Sequence, residues 1–425
     1  MHKIALLFPG QGSHFVGMGK KLFEESSIAR QTFEEANDVL GFDIKKLCFE
    51  GSMQELTETQ NTQPAIFTVS MAAFRTYMRE YDAEPSILAG HSLGEISALA
   101  ASNAIRFEDG LRIVRQRGIF MKESCTESAG SMAAISGISR KVTEEICNTL
   151  SNGNDVVVLA NINSPDQVVI SGHKLIVEKA CDTLTGLGAR TMPLNVAAAF
   201  HSPLMKPAAE RLRAELRQYK YSSLKWPVLS NVTAEPYVSQ GEIIDKLTCQ
   251  IESPVRWEDS MQYLQNSNID FAVEMEPKTV LKKLMGKNIP GLMVYASDDV
   301  EDMQGLKRLL QGSNPDKENQ GSNSLTVIER CLAIAVCTRN RNWNNEEYRK
   351  GVVEPYKQVK QMQEVIESEN RMPAEEEIRE ALRMLTSVFN TKQVPIEEQT
   401  ERFNMLSKDR SANKIITEFL LQNKG

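Results

Sequence analysis

The chain contains 425 residues, which is long enough for two or three domains with a large buried core. Its apolar content of 41%, its charged content of 25% and its formal net charge of −7 indicate a globular protein without a nucleic-acid-binding surface. Its seven cysteines include no C-x-x-C pair, and it has neither an apolar run of about 18 residues nor a signal peptide, so we expect a cytoplasmic protein with no metal site and no membrane contact.

The first predicted strand covers residues 3–8 and leads into the glycine-rich loop of residues 9–13, which permits close backbone approach. This loop is not a phosphate-binding P-loop, because no Gly-Lys-Ser or Gly-Lys-Thr follows it. A helix is predicted over residues 20–40. A polar segment then ends at Pro64, and proline is typical of a helix start, so the next helix is predicted over residues 65–81.

The pentapeptide Gly90-His91-Ser92-Leu93-Gly94 is a G-x-S-x-G motif between an apolar run at 86–89 and a helix-forming run at 95–101. A strand, a sharp turn and a helix in this order are typical of a nucleophile elbow. The serine would then lie at the positive end of a helix, beside backbone N–H groups that stabilise an oxyanion. A chance match on an ordinary turn is the alternative, but the flanking elements favour Ser92 as a nucleophile.

A helix predicted over residues 106–123 carries three arginines. At 100° per residue Arg112 and Arg115 share a face, whereas Arg117 lies on a different side. A row of arginines is usually a solvated face. The spacing alone therefore leaves open which of the three, if any, points inward.

Residues 130–196 follow a different pattern from the rest of the chain. Strands are predicted at 131–136, 156–161, 167–171 and 190–196, and helices at 140–150 and 175–187. The order β-α-β-β-α-β is that of a ferredoxin-like unit. We therefore predict a small ferredoxin-like subdomain over residues 130–196, inserted into a larger α/β subdomain of residues 1–129 and 197–311.

Strands and helices alternate after this insertion, which predicts a parallel sheet covered on both faces. Residues 312–324 are a linker by composition, and residues 325–425 read as a helical extension without a catalytic pattern. Two apolar stripes in this extension are more typical of core packing than of a docking face. Their residues are Ile378, Ala381, Leu382, Leu385, Val388 and Phe389 in the first, and Ile415, Ile416, Phe419 and Leu420 in the second.

A catalytic serine needs a base, and histidine is the usual one. His201 follows the insertion, where the chain returns to the large subdomain, although a helix-capping role is the alternative. The remaining histidines occupy less suitable positions: His2, His14, His91 and His173. A hydrolase triad also needs an acidic residue between serine and histidine, but Asp166 belongs to the insertion. The missing acid argues against an ordinary esterase.

A series of short motifs occurs in a fixed order between residue 3 and about residue 300. They are Pro9-Gly10-Gln11-Gly12-Ser13, Thr62-Gln63-Pro64-Ala65, Gly90-His91-Ser92-Leu93-Gly94-Glu95, Arg115-Gln116-Arg117-Gly118, Asn161-Ile162-Asn163-Ser164-Pro165, Ala199-Phe200-His201-Ser202 and Ser253-Pro254-Val255-Arg256-Trp257. Their identity and order resemble those of malonyl-CoA:acyl carrier protein transacylases. The resemblance implies an α/β-hydrolase-like large subdomain around the ferredoxin-like one, with an all-α carboxyl-terminal appendix beyond it.

The resemblance also implies the catalytic roles. Ser92 resembles the nucleophile of the family and His201 its general base. Gln250 matches the residue whose backbone carbonyl orients the histidine in place of an acid. Gln11 and Leu93 match the residues whose backbone N–H groups form the oxyanion hole.

Substrate selection is implied in the same way. Arg117 resembles the guanidinium that pairs with the malonyl carboxylate, and Phe200 matches the form associated with malonyl rather than methylmalonyl selection. The chain departs from the family at Glu276-Pro277-Lys278, where a Gly-Pro-Gly turn is usual. The helical extension is similar to that of free-standing acyltransferases of iturin-type lipopeptide clusters, which act in trans on hybrid polyketide and nonribosomal peptide synthetases.

The implied reaction transfers a malonyl group from malonyl-CoA, through an acyl-serine, to the phosphopantetheine thiol of an acyl carrier protein or of a synthetase carrier domain. We expect a monomer with no permanently bound cofactor and no nucleic-acid or membrane partner. Two alternatives remain open: a proofreading thioesterase that uses the same serine, and a non-catalytic docking adaptor.

Overall fold

The computed structural model describes residues 2–81, 83–127, 130–153, 155–194, 196, 198–311, 327–338, 340–342, 344–369, 371–406 and 413–422. The chain forms two compact units, Met1–Ser313 and Asn314–Gly425. The linker predicted at 312–324 lies outside the described residues. None of the helices within the described ranges is both long and apolar enough to cross a membrane.

The first unit contains two separate sheets. Its strands are β1 (Ile4–Phe8), β2 (Ile87–Gly90), β3 (Gly130–Ser136), β4 (Val157–Ser164), β5 (Gln167–His173), β6 (Arg190–Pro193), β7 (Val228–Leu229), β8 (Phe271–Glu274) and β9 (Met293–Ala296). Five of them form a parallel sheet in the order β7-β2-β1-β8-β9. The other four form an antiparallel sheet in the order β4-β5-β3-β6, which is the ferredoxin-like arrangement.

Helices cover both faces of the parallel sheet. The helices of this unit are α1 (Lys20–Glu25), α2 (Ser27–Leu40), α3 (Ile44–Glu50), α4 (Met53–Thr57), α5 (Thr59–Glu80), α6 (Leu93–Ala101), α7 (Phe107–Glu127), α8 (Arg140–Leu150), α9 (Lys174–Gly186), α10 (Lys206–Leu216), α11 (Ile243–Glu252), α12 (Trp257–Asn266), α13 (Val280–Asn288) and α14 (Val300–Gln311). Within β1, Leu6 and Phe8 pack into one hydrophobic cluster while Ala5 and Leu7 pack into another. Burial on both faces explains why the strand reads as a continuous apolar run.

The predicted fold class is confirmed, since the chain combines a parallel α/β sheet with an inserted antiparallel unit and a helical carboxyl-terminal part. Several boundaries were wrong. The helix predicted over residues 20–40 is two helices, because Ser26 is extended and its side chain accepts a hydrogen bond from Ala29 N, which begins α2 anew. The short α3 and α4 lie in the segment read as polar, and five to seven residues are too few to display helical periodicity.

The position of Pro64 was also predicted wrongly, because it lies inside α5 rather than at a helix start. Proline has no N–H, so the carbonyl of Gln60 loses its helical donor. Arg115 replaces that donor, since its Nη1 hydrogen-bonds Gln60 O and Asn61 Oδ1. A long-range contact therefore makes the proline compatible with a continuous helix.

All regular secondary structure in the described residues of the second unit is helical. It contains α15 (Val327–Cys337), α16 (Asn345–Tyr348), a π-helical turn (Arg349–Val353), α17 (Glu354–Ser368), α18 (Glu375–Thr391), α19 (Ile396–Leu406) and α20 (Asn413–Gln422). The apolar stripe predicted on α18 is buried over its whole length. This unit therefore has a hydrophobic core of its own.

Candidate active site

The turn between β2 and α6 holds Ser92 in a conformation that few residues adopt, with φ 53° and ψ −106°. Glycines on both sides make the turn sterically possible. A Cβ on Gly90 would lie 1.9 Å from the Gly94 carbonyl, and a Cβ on Gly94 would lie 2.0 Å from Phe8 O. The motif thus forms the strand–turn–helix elbow that the sequence predicts, with Ser92 ahead of the first turn of α6.

His201 is in hydrogen-bonding contact with Ser92, from which it is separated by 109 residues in the sequence. Its Nε2 lies 2.8 Å from Ser92 Oγ, and its Nδ1 lies 2.8 Å from the backbone carbonyl of Gln250. Because a carbonyl oxygen only accepts, Nδ1 must carry the proton, and Nε2 is left as an acceptor facing the serine hydroxyl. No acidic side chain is needed to fix this tautomer.

The imidazole of His201 is held in its neutral form. Burial lowers its pKa to about 3, and the neighbouring Arg117 guanidinium acts in the same direction by repelling the charged ring. A neutral imidazole can accept the serine proton, whereas an imidazolium cannot. The site therefore keeps its base available well below neutral pH.

Arg117 on α7 is buried, with 1% of its surface exposed, and it points into the site. Its Nη2 donates to Ser92 Oγ at 3.1 Å and to Gln250 Oε1 at 3.0 Å, and its Nη1 donates to Gln63 Oε1 at 2.9 Å. Its Nε has no hydrogen-bond partner among the described residues. Burial lowers the pKa of Arg117 to about 10, opposed by the carboxylate of Glu95, so the side chain remains a cation at neutral pH.

The other two arginines of α7 lie elsewhere, as their positions on the helix indicate. Arg112 is exposed and pairs with Asp109 on its own helix. Arg115 is half-buried and donates a hydrogen bond to the backbone of α5, so it is not the solvated side chain that is usual for a row of arginines. Only Arg117 of the three reaches the serine.

A second layer of polar side chains supports these groups, and sequence analysis assigned no role to Gln63, to Asn231 or to the side chain of Gln250. Asn231 Oδ1 accepts from Ser92 N at 2.7 Å, and Asn231 Nδ2 donates to Gly90 O at 2.7 Å. Gln250 Nε2 donates to Ser92 O at 2.9 Å. Gln63 lies in the quoted Thr62-Gln63-Pro64 motif and Asn231 lies two residues after β7, so their positions in the sequence were the available signals. Neither signal reveals a partner more than 50 residues away.

The predicted oxyanion donors Gln11 and Leu93 lie on adjoining segments. Leu93 is the first residue of α6, and Gln11 follows Gly10, where a Cβ would lie 2.4 Å from the carbonyl oxygen of His91. The glycine-rich loop is thus packed directly on the elbow. Within the described part of the chain, no acceptor occupies the backbone N–H of either residue, which leaves both amides available for an oxyanion.

The turn at Glu276-Pro277-Lys278 retains a connection to this loop despite lacking the usual glycines. Lys278 adopts φ 62°, a left-handed conformation that glycine favours. Its Nζ donates to His14 O at 3.0 Å, and its backbone N donates to Asp298 Oδ2 at 2.8 Å. The lysine in place of the usual glycine therefore adds a hydrogen bond to His14, which directly follows the glycine-rich loop.

The remaining predicted positions lie near the site or well away from it. Phe200 is buried beside His201 in the main hydrophobic cluster, and its role in acyl selection stays a prediction. His91 Nε2 lies 2.9 Å from Asn163 Oδ1, so its ring faces the small sheet rather than the serine. Asp166 binds Ser164 and Lys287 and takes no part in the dyad. Across the described residues, no cluster of three or more metal-ligating side chains occurs.

This geometry places the Ser92 hydroxyl within hydrogen-bonding distance of both a neutral imidazole and a buried guanidinium. Such a set can form an acyl-serine ester and can favour an acyl group that carries a negative charge. The Gln250 carbonyl accepts the hydrogen bond from His201 Nδ1 that an acidic side chain would otherwise accept.

Comparisons with known proteins agree with the motifs. The acyl transferase domain family matches residues 5–303. A malonyl CoA-acyl carrier protein transacylase of Bacillus subtilis is 37% identical over 399 residues, covering 94% of this chain and 99% of its own, and one from Bacillus subtilis strain 168 is 41% identical over 315 residues, covering 74% and 99%. Among solved structures, a malonyl-transacylase in complex with a type II PKS acyl-carrier protein is 36% identical, with a TM-score of 0.69 over 71% of this chain and 98% of its own.

Proposed function

The chain belongs to the malonyl-CoA:acyl carrier protein transacylase family of S-malonyltransferases, and we propose that it supplies malonyl groups in trans to carriers of a polyketide or lipopeptide synthetase. The observation that carries the catalytic part of this proposal is the arrangement of Ser92 between His201 Nε2 and Arg117 Nη2, at 2.8 and 3.1 Å. The base activates the serine, and the cation selects the acyl group.

In the first half-reaction, His201 Nε2 takes the proton of Ser92 while Oγ attacks the thioester carbonyl carbon of malonyl-CoA. The backbone N–H groups of Gln11 and Leu93 stabilise the tetrahedral oxyanion. Its collapse breaks the C–S bond, and coenzyme A leaves as a thiol with the proton returned by His201. The product is a malonyl-Ser92 ester.

In the second half-reaction, the phosphopantetheine thiol of a carrier protein gives its proton to His201 and attacks the ester carbonyl. The C–O bond to Ser92 breaks, and Oγ recovers the proton from His201. The same groups therefore serve both directions of a ping-pong exchange. No permanently bound cofactor takes part, because the thiol arrives on the carrier.

Arg117 gives the reaction its substrate preference in this proposal. A carboxylate that enters a buried site loses its hydration, and this cost is offset by an aligned cation. The guanidinium is planar and offers two parallel donors to a carboxylate. An acetyl group gains nothing from the same cation.

The proposed role in trans rests on the helical second unit. The transacylase from strain 168 is matched by 315 residues of this chain, whereas the other Bacillus subtilis relative is matched over 399 residues, which must include part of that unit. One structural relative acts with a type II PKS carrier. We extend the carriers to domains of nonribosomal peptide synthetases, and we propose that the enzyme works as a cytoplasmic monomer.

Two other functions agree less well with the site. A proofreading thioesterase would transfer the acyl group to water with the same serine. A docking adaptor would need neither the strained Ser92 nor the His201 contact, and strain of this kind is stored where catalysis uses it.

Mixing the protein with malonyl-CoA and a panel of holo-carriers, followed by intact-mass spectrometry, tests the proposal. We expect a malonyl adduct on the enzyme, and then malonyl-carrier rather than free malonate. Ser92→Ala should form no adduct, while Ser97→Ala on the same helix should form it normally, because Ser97 Oγ has no partner in the described residues. Release of malonate as the main product would support the thioesterase, and an adduct on Ser92→Ala would contradict the assigned nucleophile.

A further inference from the structure

Glu95 is a completely buried carboxylate on α6, three residues after Ser92. Three groups donate hydrogen bonds to it. The hydroxyl of Tyr237 donates to Oε1, while Asn231 N and Gln250 Nε2 donate to Oε2 at 3.0 and 2.7 Å. Burying a carboxylate costs free energy unless its oxygens accept hydrogen bonds. A buried carboxylate with three hydrogen-bond donors around it therefore suggests a specific role.

Two of these donors are the residues that hold the catalytic dyad. Asn231 brackets the elbow by accepting from Ser92 N and donating to Gly90 O. Gln250 holds His201 with its backbone carbonyl, and its side chain accepts from Arg117 and donates to Ser92 O. Glu95 therefore accepts a hydrogen bond from Asn231, which contacts the backbone of Ser92, and another from Gln250, which contacts His201.

The contacts also determine the orientation of the Gln250 amide. Its Nε2 faces Glu95, which accepts, so its Oε1 faces Arg117, which only donates. A neutral carboxylic acid would turn one acceptor oxygen into a donor, and of its three partners only the Tyr237 hydroxyl could accept that hydrogen bond. Burial raises the pKa of Glu95, but its hydrogen bonds to Tyr237, Asn231 and Gln250 all favour the carboxylate.

We propose that Glu95 is a positioning residue of the transferase, which holds Ser92 and His201 in register through Asn231 and Gln250. Its negative charge also balances Arg117 while the site is empty of substrate. This inference rests on the proposed function, because it concerns the same serine chemistry.

The charge has a consequence that a purely structural role lacks. In the wild type the malonyl carboxylate binds a cation that already has an anion nearby, and the two anions repel. Glu95→Gln keeps the shape and most hydrogen bonds but removes this repulsion. The variant should therefore discriminate more strongly in favour of malonyl over acetyl, even while both acylations slow.

The experiment measures acyl-enzyme formation from malonyl-CoA and acetyl-CoA by rapid quench and intact mass, with a thermal unfolding curve for each variant. We expect Glu95→Gln to slow both acylations by about 10-fold or more and to raise the malonyl-to-acetyl ratio by about fivefold. Glu95→Asp keeps the charge but shortens the side chain, so both rates should fall at an unchanged ratio. Wild-type rates in Glu95→Gln, or an equal fall of both rates, would overturn the proposal.

Glu274 provides a matched control, since it is also a fully buried carboxylate and accepts from the N–H groups of Leu281 and Lys282 at the start of α13. Glu274→Gln should lower the unfolding midpoint without changing the ratio. If Glu95→Gln does not fold, Tyr237→Phe replaces it as the test variant. The Glu95 carboxylate then lacks one hydrogen-bond donor, which makes its charged form less stable, so the malonyl-to-acetyl ratio should rise as well. An unchanged ratio would contradict the proposal. A wild-type enzyme that forms no malonyl adduct would overturn the proposed function itself, whereas a normal wild type with unaffected variants overturns only the role of Glu95.

Discussion

Arg117 is one hydrogen bond from Ser92, with Nη2 donating to Oγ at 3.1 Å. In a malonyl ester the free carboxylate is separated from the ester carbonyl by a single methylene group. An acyl group attached to Ser92 therefore has its carboxylate within reach of the guanidinium. The proposed nucleophile and the proposed selectivity element therefore contact opposite ends of the same short acyl group.

Arg117→Ala should reverse the substrate preference. Malonyl transfer should lose about 3 kcal/mol in kcat/KM, on the order of a hundredfold, because the buried carboxylate no longer has a cation. Acetyl transfer should be spared or improved. Competition between malonyl-CoA and acetyl-CoA, measured as acyl-Ser92 by intact mass, gives the ratio directly.

Arg112→Ala is the matched control, because Arg112 lies on the same helix, is exposed and pairs with Asp109. It should leave the preference unchanged. Arg115→Ala is a poor control, since Arg115 donates to the carbonyl that Pro64 leaves without a helical partner, and its loss should lower stability. A wild-type preference in Arg117→Ala would place malonyl selection elsewhere.

The pH dependence of acylation should reflect the depressed pKa of His201, which is about 3. A base with a lowered pKa stays neutral as the pH falls, so the rate of acetyl-enzyme formation should show no loss from His201 protonation between about pH 5 and 8. Removing the repelling cation raises the pKa of His201. Arg117→Met should therefore move the acid limb of the acetyl-CoA profile to higher pH than in the wild type.

Acetyl-CoA is the substrate for this comparison because its acyl group needs no cation. Coincident acid limbs in the wild type and in Arg117→Met would show that Arg117 does not act on the base. A wild-type limb near pH 6.5, the ordinary value for histidine, would contradict the burial of the imidazole.

The local parts of the site could be predicted from the sequence, and the contacts between distant parts could not. The glycines around Ser92 predict the nucleophile elbow, because the steric limits of a tight turn act between residues that are close in sequence. The insertion is visible because its strands and helices alternate in a recognisable order. Gln63, Asn231 and Glu95 were missed as support for the site, since each depends on a partner from another element. Pro64 was misplaced for the same reason, as Arg115 is distant in sequence.

Gly94→Ala should disrupt the elbow. The new Cβ would lie 2.0 Å from the backbone oxygen of Phe8, which cannot move without disturbing β1. We expect a loss of several kcal/mol in the free energy of unfolding and no acylation of Ser92. Chemical denaturation and adduct formation measure the two effects.

Gly286→Ala is the corresponding control in α13, where a Cβ would have no neighbour within 4 Å. Alanine is the better helix former, so this variant should be more stable by about 0.5–1 kcal/mol and fully active. Equal behaviour of the two variants would show that the Gly94 contact does not constrain the turn.

Glu276 should make the stability of the protein depend on pH. Burial raises the pKa of this carboxyl to about 8, and the nearby Asp298 carboxylate adds to the shift. Its contribution is fully present below the unfolded pKa of about 4.5 and is lost as the pH rises through 8. Over that window the wild type should lose up to about 1.4 kcal/mol per pH unit from this group, whereas Glu276→Gln should not.

Unfolding midpoints measured between about pH 4.5 and 9 test this expectation. Glu24→Gln is the control, because Glu24 is exposed. The difference in midpoint between Glu276→Gln and the wild type should grow in favour of the variant as the pH rises. A constant difference would mean that Glu276 is already ionised throughout this range.

Truncation after residue 311 should leave a folded enzyme that still acylates itself. The hydrophobic clusters of the first unit are built from residues before that point, and the second unit has a separate cluster of its own. A relative is matched over 99% of its length by 315 residues of this chain, which indicates that a chain of this size suffices for the family fold. Because Ser92, His201 and Arg117 all belong to the first unit, malonyl-enzyme formation should stay within about twofold of the full chain.

The second unit should matter for transfer to carriers. The truncated enzyme should transfer malonyl to a fatty-acid-type carrier as fast as the full chain does, but more slowly to a synthetase carrier domain. Aggregation of the truncated chain would show instead that the first unit needs the second unit to fold. If truncation leaves the rate of transfer to the synthetase carrier domain unchanged, the helical extension has no role in carrier selection.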